Sequence, residues 1–245
     1  MQPLLLPALA LLSVSVSGGR PPVSPGELLR SRLGSTVLAS AAVSAVVAAA
    51  AGDRESRASE ALRRGLFSRH IPEGARVLEI GFGDGANLAL YPHVRFSLLG
   101  QDPREVPTKV PVEASLVFEG LVRGVAEELP FPDEAFDAVV ATLVLCSVAD
   151  PGRCLSEVRR VLRPGGSFVF VEHVLGEQSS LLRLQHLALS PLQEVLADGC
   201  HLNRATDELL RGAVPGLFRR LAELSYQRFD SQWPISRQIF GALVK

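Results

Sequence analysis

The chain has 245 residues, 47% of them hydrophobic and 21% charged, enough for one domain with a substantial core plus an appendage. Its 25 basic and 26 acidic side chains leave a formal net charge of −1, so no global charge favours nucleic acid and no nucleic-acid partner is expected. Cys146, Cys154 and Cys200 are too few and too irregularly spaced for a disulfide framework or a zinc site, which points to a reducing compartment and to no metal.

Residues 1–52 differ from the rest. Pro3 to Val16 is apolar, and Thr36 to Ala51 is a second run of small apolar residues. Arg20, Arg30 and Arg32 lie between them, with several Ser and Pro and a single acid, Glu27. Neither run reaches the roughly 18 strongly apolar residues of a spanning helix. The first also lacks the basic residues that precede a signal-peptide core. A membrane anchor or hairpin, a cleaved signal and an organelle-targeting leader all remain open, and the arginine- and serine-rich middle favours some targeting role.

Residues 53–70 are charged and helical by pattern, with Ala58, Leu62 and Leu66 sharing one face and arginines elsewhere. They read as an amphipathic basic linker leading into a domain of residues 71–245.

Val77-Leu78-Glu79-Ile80 reads as a buried parallel strand. It meets Gly81, Gly83 and Gly85 and then a short helical pattern. Glycine there lets the backbone turn sharply and lets a ligand approach the main chain. A helix following the turn would aim its free N–H groups and its dipole into it. Gly81, Gly83 and Ala86 also satisfy the G-x-G-x-x-G/A dinucleotide fingerprint, with Asp102 about 20 positions on. At this point the corner suits a nicotinamide dinucleotide as well as S-adenosylmethionine.

Further strands follow at Val94–Leu99, Leu116–Val122 and Phe136–Leu145; Pro107 and Pro111 disfavour a long helix after the first of these. Asp150-Pro151 opens a helix buried through Leu155, Val158 and Leu162, and Pro164-Gly165-Gly166 stops it. Ser167–Val171 is a fifth strand. An apolar helix over Leu181 to Leu196, with Leu182, His186 and Leu189 on one face, could wall a substrate pocket. Leu221–Phe229 and Ile235–Val244 close the sheet as a terminal pair. The expected fold is therefore α/β and Rossmann-like: a seven-stranded, mostly parallel sheet with helices on both faces and a C-terminal antiparallel hairpin.

Ligands of such sheets sit beyond the carboxyl ends of the strands. Glu79 with its glycine turn, Asp102, Ala126-Glu127, Thr142-Leu143 and Glu172-His173 all map there. A carboxylate at Asp102 can accept hydrogen bonds from both hydroxyls of a ribose.

Val125 to Val140, VAEELPFPDEAFDAVV, and EVRRVLRPGGSFVFVEH at 157–173 resemble small-molecule methyltransferases. LEIGFGDGANLALYP, TLVLCSV, EVRRVLRPGG, EHV and DGCHLNRAT, in that order, are similar to the methyltransferase-like thiol S-methyltransferases of the endoplasmic reticulum and lipid droplets. The resemblance covers residues 71–245. It implies S-adenosylmethionine as methyl donor, a small and lipophilic alkyl thiol as acceptor, and membrane association through residues 1–52 at the endoplasmic reticulum. A plastid or other organelle is the alternative, and no obligate protein partner is implied. By the same resemblance Glu79, Gly81, Gly83 and Gly85 line the methionine and ribose side, Asp102 binds the ribose, and Ala126 and Glu127 lie near the adenine. The chain departs from the family at Phe82 and Asp84, where Cys and Thr are usual, and in its longer, arginine-rich leader. A quinone, sterol or other hydroxyl or carbon acceptor stays open, as do a nicotinamide-dependent reductase and a non-catalytic binding protein.

Methyl transfer from a sulfonium needs alignment more than chemistry from the protein, and no metal. A thiol acceptor reacts as thiolate, so a nearby base would help. His173 is the first candidate and His201 the second. Cys200 reads as a small pocket residue, and Cys146 and Cys154 as core.

Overall fold

The computed structural model describes residues 54–91, 96–103 and 116–245. The leader expected over residues 1–52, Pro107 and Pro111 lie outside them. Among the described residues no helix is long and apolar enough to cross a membrane.

The chain runs α1 (residues 54–70), β1 (Arg76–Ile80), a short 3-10 turn (Leu88–Leu90), β2 (Phe96–Asp102), β3 (Leu116–Arg123), β4 (Phe136–Thr142), α2 (Pro151–Val161), β5 (Leu162–His173), α3 (Leu181–Leu196), α4 (Thr206–Gly212), β6 (Arg220–Arg228) and β7 (Arg237–Val244). The strands form one sheet in the order β3-β2-β1-β4-β5-β7-β6. Strands β1 to β5 pair in parallel, and β7 runs antiparallel to both β5 and β6. The order reverses between β1 and β4, so their carboxyl ends open the crevice where ligands of such sheets bind.

Strand parity builds a core on each face. Leu78 and Ile80, Val139 and Ala141, and Phe168 and Phe170 point to one side, where α2 contributes Leu155 and Val158 and α4 contributes Leu210. Val77, Ala138, Val140, Val169 and Val171 point to the other, where α1 contributes Leu66 and Phe67. Helices therefore cover both faces, in keeping with the α/β, Rossmann-like expectation.

Three local expectations need correction. α1 is no linker: Leu66 and Phe67 are fully buried, and the Phe67 ring stacks on Tyr91 at 5.0 Å between centroids. Its buried face is rotated from the expected one, with Ser59 buried and Ala58 exposed. No α-helix follows the glycine turn, only Leu88–Leu90 in 3-10 form without a side-chain cap. Asn87, which would open that helix, instead turns its amide to Glu79 and Thr142, and Tyr91 is extended ahead of Pro92. The dipole contribution expected there is therefore missing. Finally, α2 ends at Val161, before Pro164-Gly165-Gly166, and those residues start β5. Gly166 is required there, because a Cβ would lie 2.9 Å from the carbonyl oxygens of Arg163 and Asp137. The start of α2 is as expected: Asp150 caps it, accepting the Arg153 N–H at 3.0 Å.

Candidate functional site

The turn after β1 is left-handed at all three glycines, with φ of 64° at Gly81, 57° at Gly83 and 80° at Gly85. A Cβ on Gly81 would collide with a methyl of Val144, so the turns after β1 and β4 touch at this point. The Asp102 side chain, at the end of β2, reaches across to accept the Gly83 N–H at 2.8 Å. Asp102 is itself only 2% exposed.

Gly81, Val144 and Asp102 open onto a cavity of about 620 Å³, the size range of small-molecule sites. Gly81, Asp102, Pro103, Val125, Ala126 and Glu127 line one part. Val144, Cys146, His173, Gln193 and Cys200 line another. An adenosyl donor suits the first part, where a carboxylate that can take ribose hydroxyls adjoins an apolar wall that can take a base. Glu127 is partly committed elsewhere, since Oε1 accepts the backbone N–H groups of Ala149 at 2.6 Å and Asp150 at 3.2 Å. It anchors the loop before α2 while lining the cavity.

Of the residues expected from the sequence, the structure brings Gly81, Asp102, Ala126, Glu127 and His173 to the cavity and leaves Glu79, Gly83, Gly85, Thr142 and His201 off its wall. Glu79 shares the α1 side of β1 with Val77 and is 2% exposed. Its carboxylate accepts from Asn87 Nδ2 at 2.8 Å and from the Tyr91 hydroxyl at 2.6 Å. Asn87 also donates to Thr142 Oγ1 at 3.0 Å and accepts from Arg63 at 2.8 Å. Glu79 and Thr142 thus brace the glycine turn from behind. Burial pushes the Glu79 carboxyl up to about 7, against the hydrogen bonds from Tyr91 and Asn87 and the Arg63 charge.

His201 sits against backbone. Nδ1 lies 2.6 Å from the Gly199 carbonyl oxygen and Nε2 3.5 Å from Glu194, so it ties down its own turn. His186, on α3, is fully buried with Nδ1 accepting from Gly176 N–H and Nε2 against the Pro234 carbonyl oxygen. α3 reaches the cavity only at its end, through Gln193.

Glu172 and Leu143, both expected at the strand ends, and Arg204, which no sequence signal marks, shape the turn after β4. Glu172 Oε1 accepts both Val144 and Leu145 N–H at 3.0 Å, fixing the turn after β4, and burial pushes its carboxyl up to about 7. Within that turn Leu143 has a φ of 56°, a costly conformation for a side-chain-bearing residue. Arg204 donates to the carbonyl oxygens of Leu145 and Val148, both at 2.7 Å, and so binds the same turn to the segment after α3.

That clamp joins Cys146 to Cys200. With His173, their ligand-type atoms all lie within 4.8 Å of one another, and all three residues are buried. His173 Nε2 is 3.1 Å from Cys200 Sγ. A hydrogen bond from Cys146, together with His173, holds the Cys200 thiol below the ordinary thiol range, while Cys146 is pushed up. Sequence spacing could not register residues that meet only through three separate turns.

Residues 78–170 match the methyltransferase domain family. Over 203 residues the chain is 34% identical to thiol S-methyltransferase TMT1B of Rattus norvegicus, covering 78% of this chain and 82% of that one. It is 37% identical over 175 residues to thiol S-methyltransferase TMT1A of Homo sapiens, covering 69% and 70%. Among solved structures it resembles an S-adenosylmethionine-dependent methyltransferase of Thermotoga maritima, with a TM-score of 0.52 and 20% identity over 76% of this chain and 89% of that one. At that identity the last likeness concerns the fold alone.

Proposed function

The chain belongs to the thiol S-methyltransferase family of S-adenosylmethionine-dependent methyltransferases, and from that premise we propose that it methylates small, lipophilic alkyl thiols in the cavity beyond β1, β2, β4 and β5. The methyl donor is S-adenosylmethionine, which disposes of the nicotinamide reading of the glycine corner. When bound, it supplies an electrophilic methyl on a sulfonium that also serves as leaving group.

The carrying observation is that one cavity has both a carboxylate-and-glycine wall and a thiol-and-imidazole wall. Asp102 takes the ribose and, through Gly83, keeps the turn closed. Ala126 and Val125 offer the base an apolar face, with Glu127 beside them. Gly81 keeps the backbone low enough for close approach, and Glu79 and Thr142 act through Asn87 to hold that backbone. On the other wall His173 lies with Cys146 and Cys200, where the acceptor would enter. Holding acceptor and donor aligned in one cavity supplies the proximity such a displacement mainly needs.

A lipophilic acceptor is supported by the outer face of α3, where Leu184, Leu187, Leu192, Val195 and Leu196 are exposed near the cavity-lining Gln193. Together with the apolar runs of residues 1–52, that face supports association with a membrane, proposed as the endoplasmic reticulum. Fractionation of a fusion of residues 1–52 tests the location.

The activity is tested with radiolabelled donor and a series of alkyl thiols. Label in the extracted thioether supports the reading. Label only in a quinone or sterol product overturns the thiol acceptor and keeps the class.

A further inference from the structure

We propose that Cys146, His173 and Cys200 form a binding site for a thiophilic divalent ion of the zinc type, with a fourth position open to the cavity that receives the acceptor sulfur as a thiolate. The proposal rests on the thiol-transfer reading and gives its acceptor wall a specific chemistry.

The three side chains come from separate turns: Cys146 after β4, His173 at the end of β5 and Cys200 after α3. Their ligand atoms fall within 4.8 Å of one another. A tetrahedral zinc ion, with Zn–S near 2.3 Å and Zn–N near 2.0–2.1 Å, sets its ligand atoms roughly 3.5–3.8 Å apart, so small side-chain adjustments suffice. Two sulfurs and one imidazole are also a soft donor set that zinc prefers over hard cations. The site is buried, yet all three residues line the cavity, which leaves a face for one further ligand. Three protein ligands and an open position is the pattern of catalytic rather than structural zinc.

His173 differs from its buried neighbour. His186 engages both ring nitrogens with backbone groups. His173 is equally buried, has Cys200 Sγ at Nε2 and has no hydrogen-bond partner at Nδ1. Its one recorded bond is to the Cys200 sulfur, a member of the same cluster. The scaffold around it is nonetheless fixed: His201 N–H bonds the Cys146 carbonyl oxygen at 2.9 Å, and Arg204 clamps the same turn. A preformed set of soft ligands in the acceptor wall is what activation of a thiol at neutral pH calls for, because a coordinated thiol is deprotonated outright.

In the step itself the acceptor RSH takes the fourth position and releases its proton to solvent, so His173 serves as ligand and not as base. A lone pair on the acceptor sulfur then forms the new S–C bond as the donor's C–S bond breaks. That bonding pair leaves with the donor sulfur, now a neutral thioether. Nothing is oxidised or reduced, and the ion keeps its charge.

The test uses the full chain, stripped by chelator and titrated with Zn²⁺ or with Co²⁺ as optical probe. One equivalent of each is expected, with sulfur-to-cobalt charge-transfer absorption that shifts when an alkyl thiol is added. Cys146→Ser, Cys200→Ser and His173→Gln should each weaken binding by more than the roughly 10–100-fold that losing an outer-shell partner costs. Cys154→Ser should keep one equivalent. Melting curves and calorimetric binding of S-adenosylhomocysteine check that each variant is folded and that the donor side is intact. Sub-stoichiometric metal, or full binding in the two cluster serine variants, overturns the proposal. Thiol methylation by a protein that binds no metal overturns the site and leaves the methyl-transfer reading standing. Cobalt bound without a spectral response to thiols overturns the acceptor role.

Discussion

Glu79 offers the sharpest quantitative test. It is fully enclosed, and burial raises its carboxyl from an ordinary 4.5 to about 7. The folded state therefore keeps the proton through a range in which the unfolded chain has released it. The stability this gives is complete below the unfolded value and is lost as pH rises through the folded one. The gap is worth about 3 kcal/mol at about 1.4 kcal/mol per pH unit. Glu79→Gln removes the titration and little else. The Gln carbonyl can still accept from Asn87, and its amide can donate to the Tyr91 hydroxyl, which turns from donor to acceptor. Urea unfolding of both proteins at intervals from about pH 5 to pH 8 should show the natural chain losing about 2–3 kcal/mol relative to the variant. Part of the chain's own slope will persist in both, because Glu172 is raised to about 7 as well. Taking the difference between the two proteins cancels it. A difference that does not change with pH would mean that Glu79 is ionised in the fold, and the account of the network behind the glycine turn would be wrong.

Asp102→Ala should cost donor affinity more than about tenfold by calorimetry with S-adenosylhomocysteine, since hydrogen bonds to a charged group are worth about 1.5–3 kcal/mol each. Asp102→Asn, which can still accept the Gly83 N–H, should lose less; equal losses would mean that holding the turn through Gly83 adds nothing to donor binding. Gly81→Ala should lower both melting temperature and donor affinity, because the new methyl meets Val144 in a left-handed backbone; wild-type behaviour would show that the two turns are not in contact. Arg204→Ala frees the carbonyl oxygens of Leu145 and Val148, so thiol turnover should fall further than donor affinity; a selective loss of donor affinity would count against its role in the acceptor wall. Asp150→Ala should cost about 1 kcal/mol of stability through the lost cap, with donor binding unchanged.

What could be read from residues alone was whatever local physics decides. Apolar runs marked the strands, the glycines marked the left-handed turn, and Asp150-Pro151 marked the start of α2. Strand parity could have gone further. Leu78 and Ile80 face one core, so Glu79 had to face the other with Val77, behind the turn instead of in the cavity. The missing helix after the turn had a readable cause in Pro92 close behind, though apolar spacing outweighed it. The arginines of α1 give it the pattern of a solvated helix, whereas the burial of Phe67 depends on Tyr91 arriving from another part of the chain. The meeting of Cys146, His173 and Cys200 was beyond reach of any window along the sequence, since only the parallel sheet brings their turns to the same rim.

The antiparallel course of β7 has a practical consequence. Val244 pairs with Ser167 at the start of β5, and the backbones of Lys245 and Gly165–Gly166 exchange hydrogen bonds there. Lys245 thus lies at the floor of the sheet, opposite the rim that carries the cavity. An affinity handle or fluorescent reporter attached there on a flexible spacer points away from incoming substrate. Surface immobilisation through that handle would present the binding mouth outward.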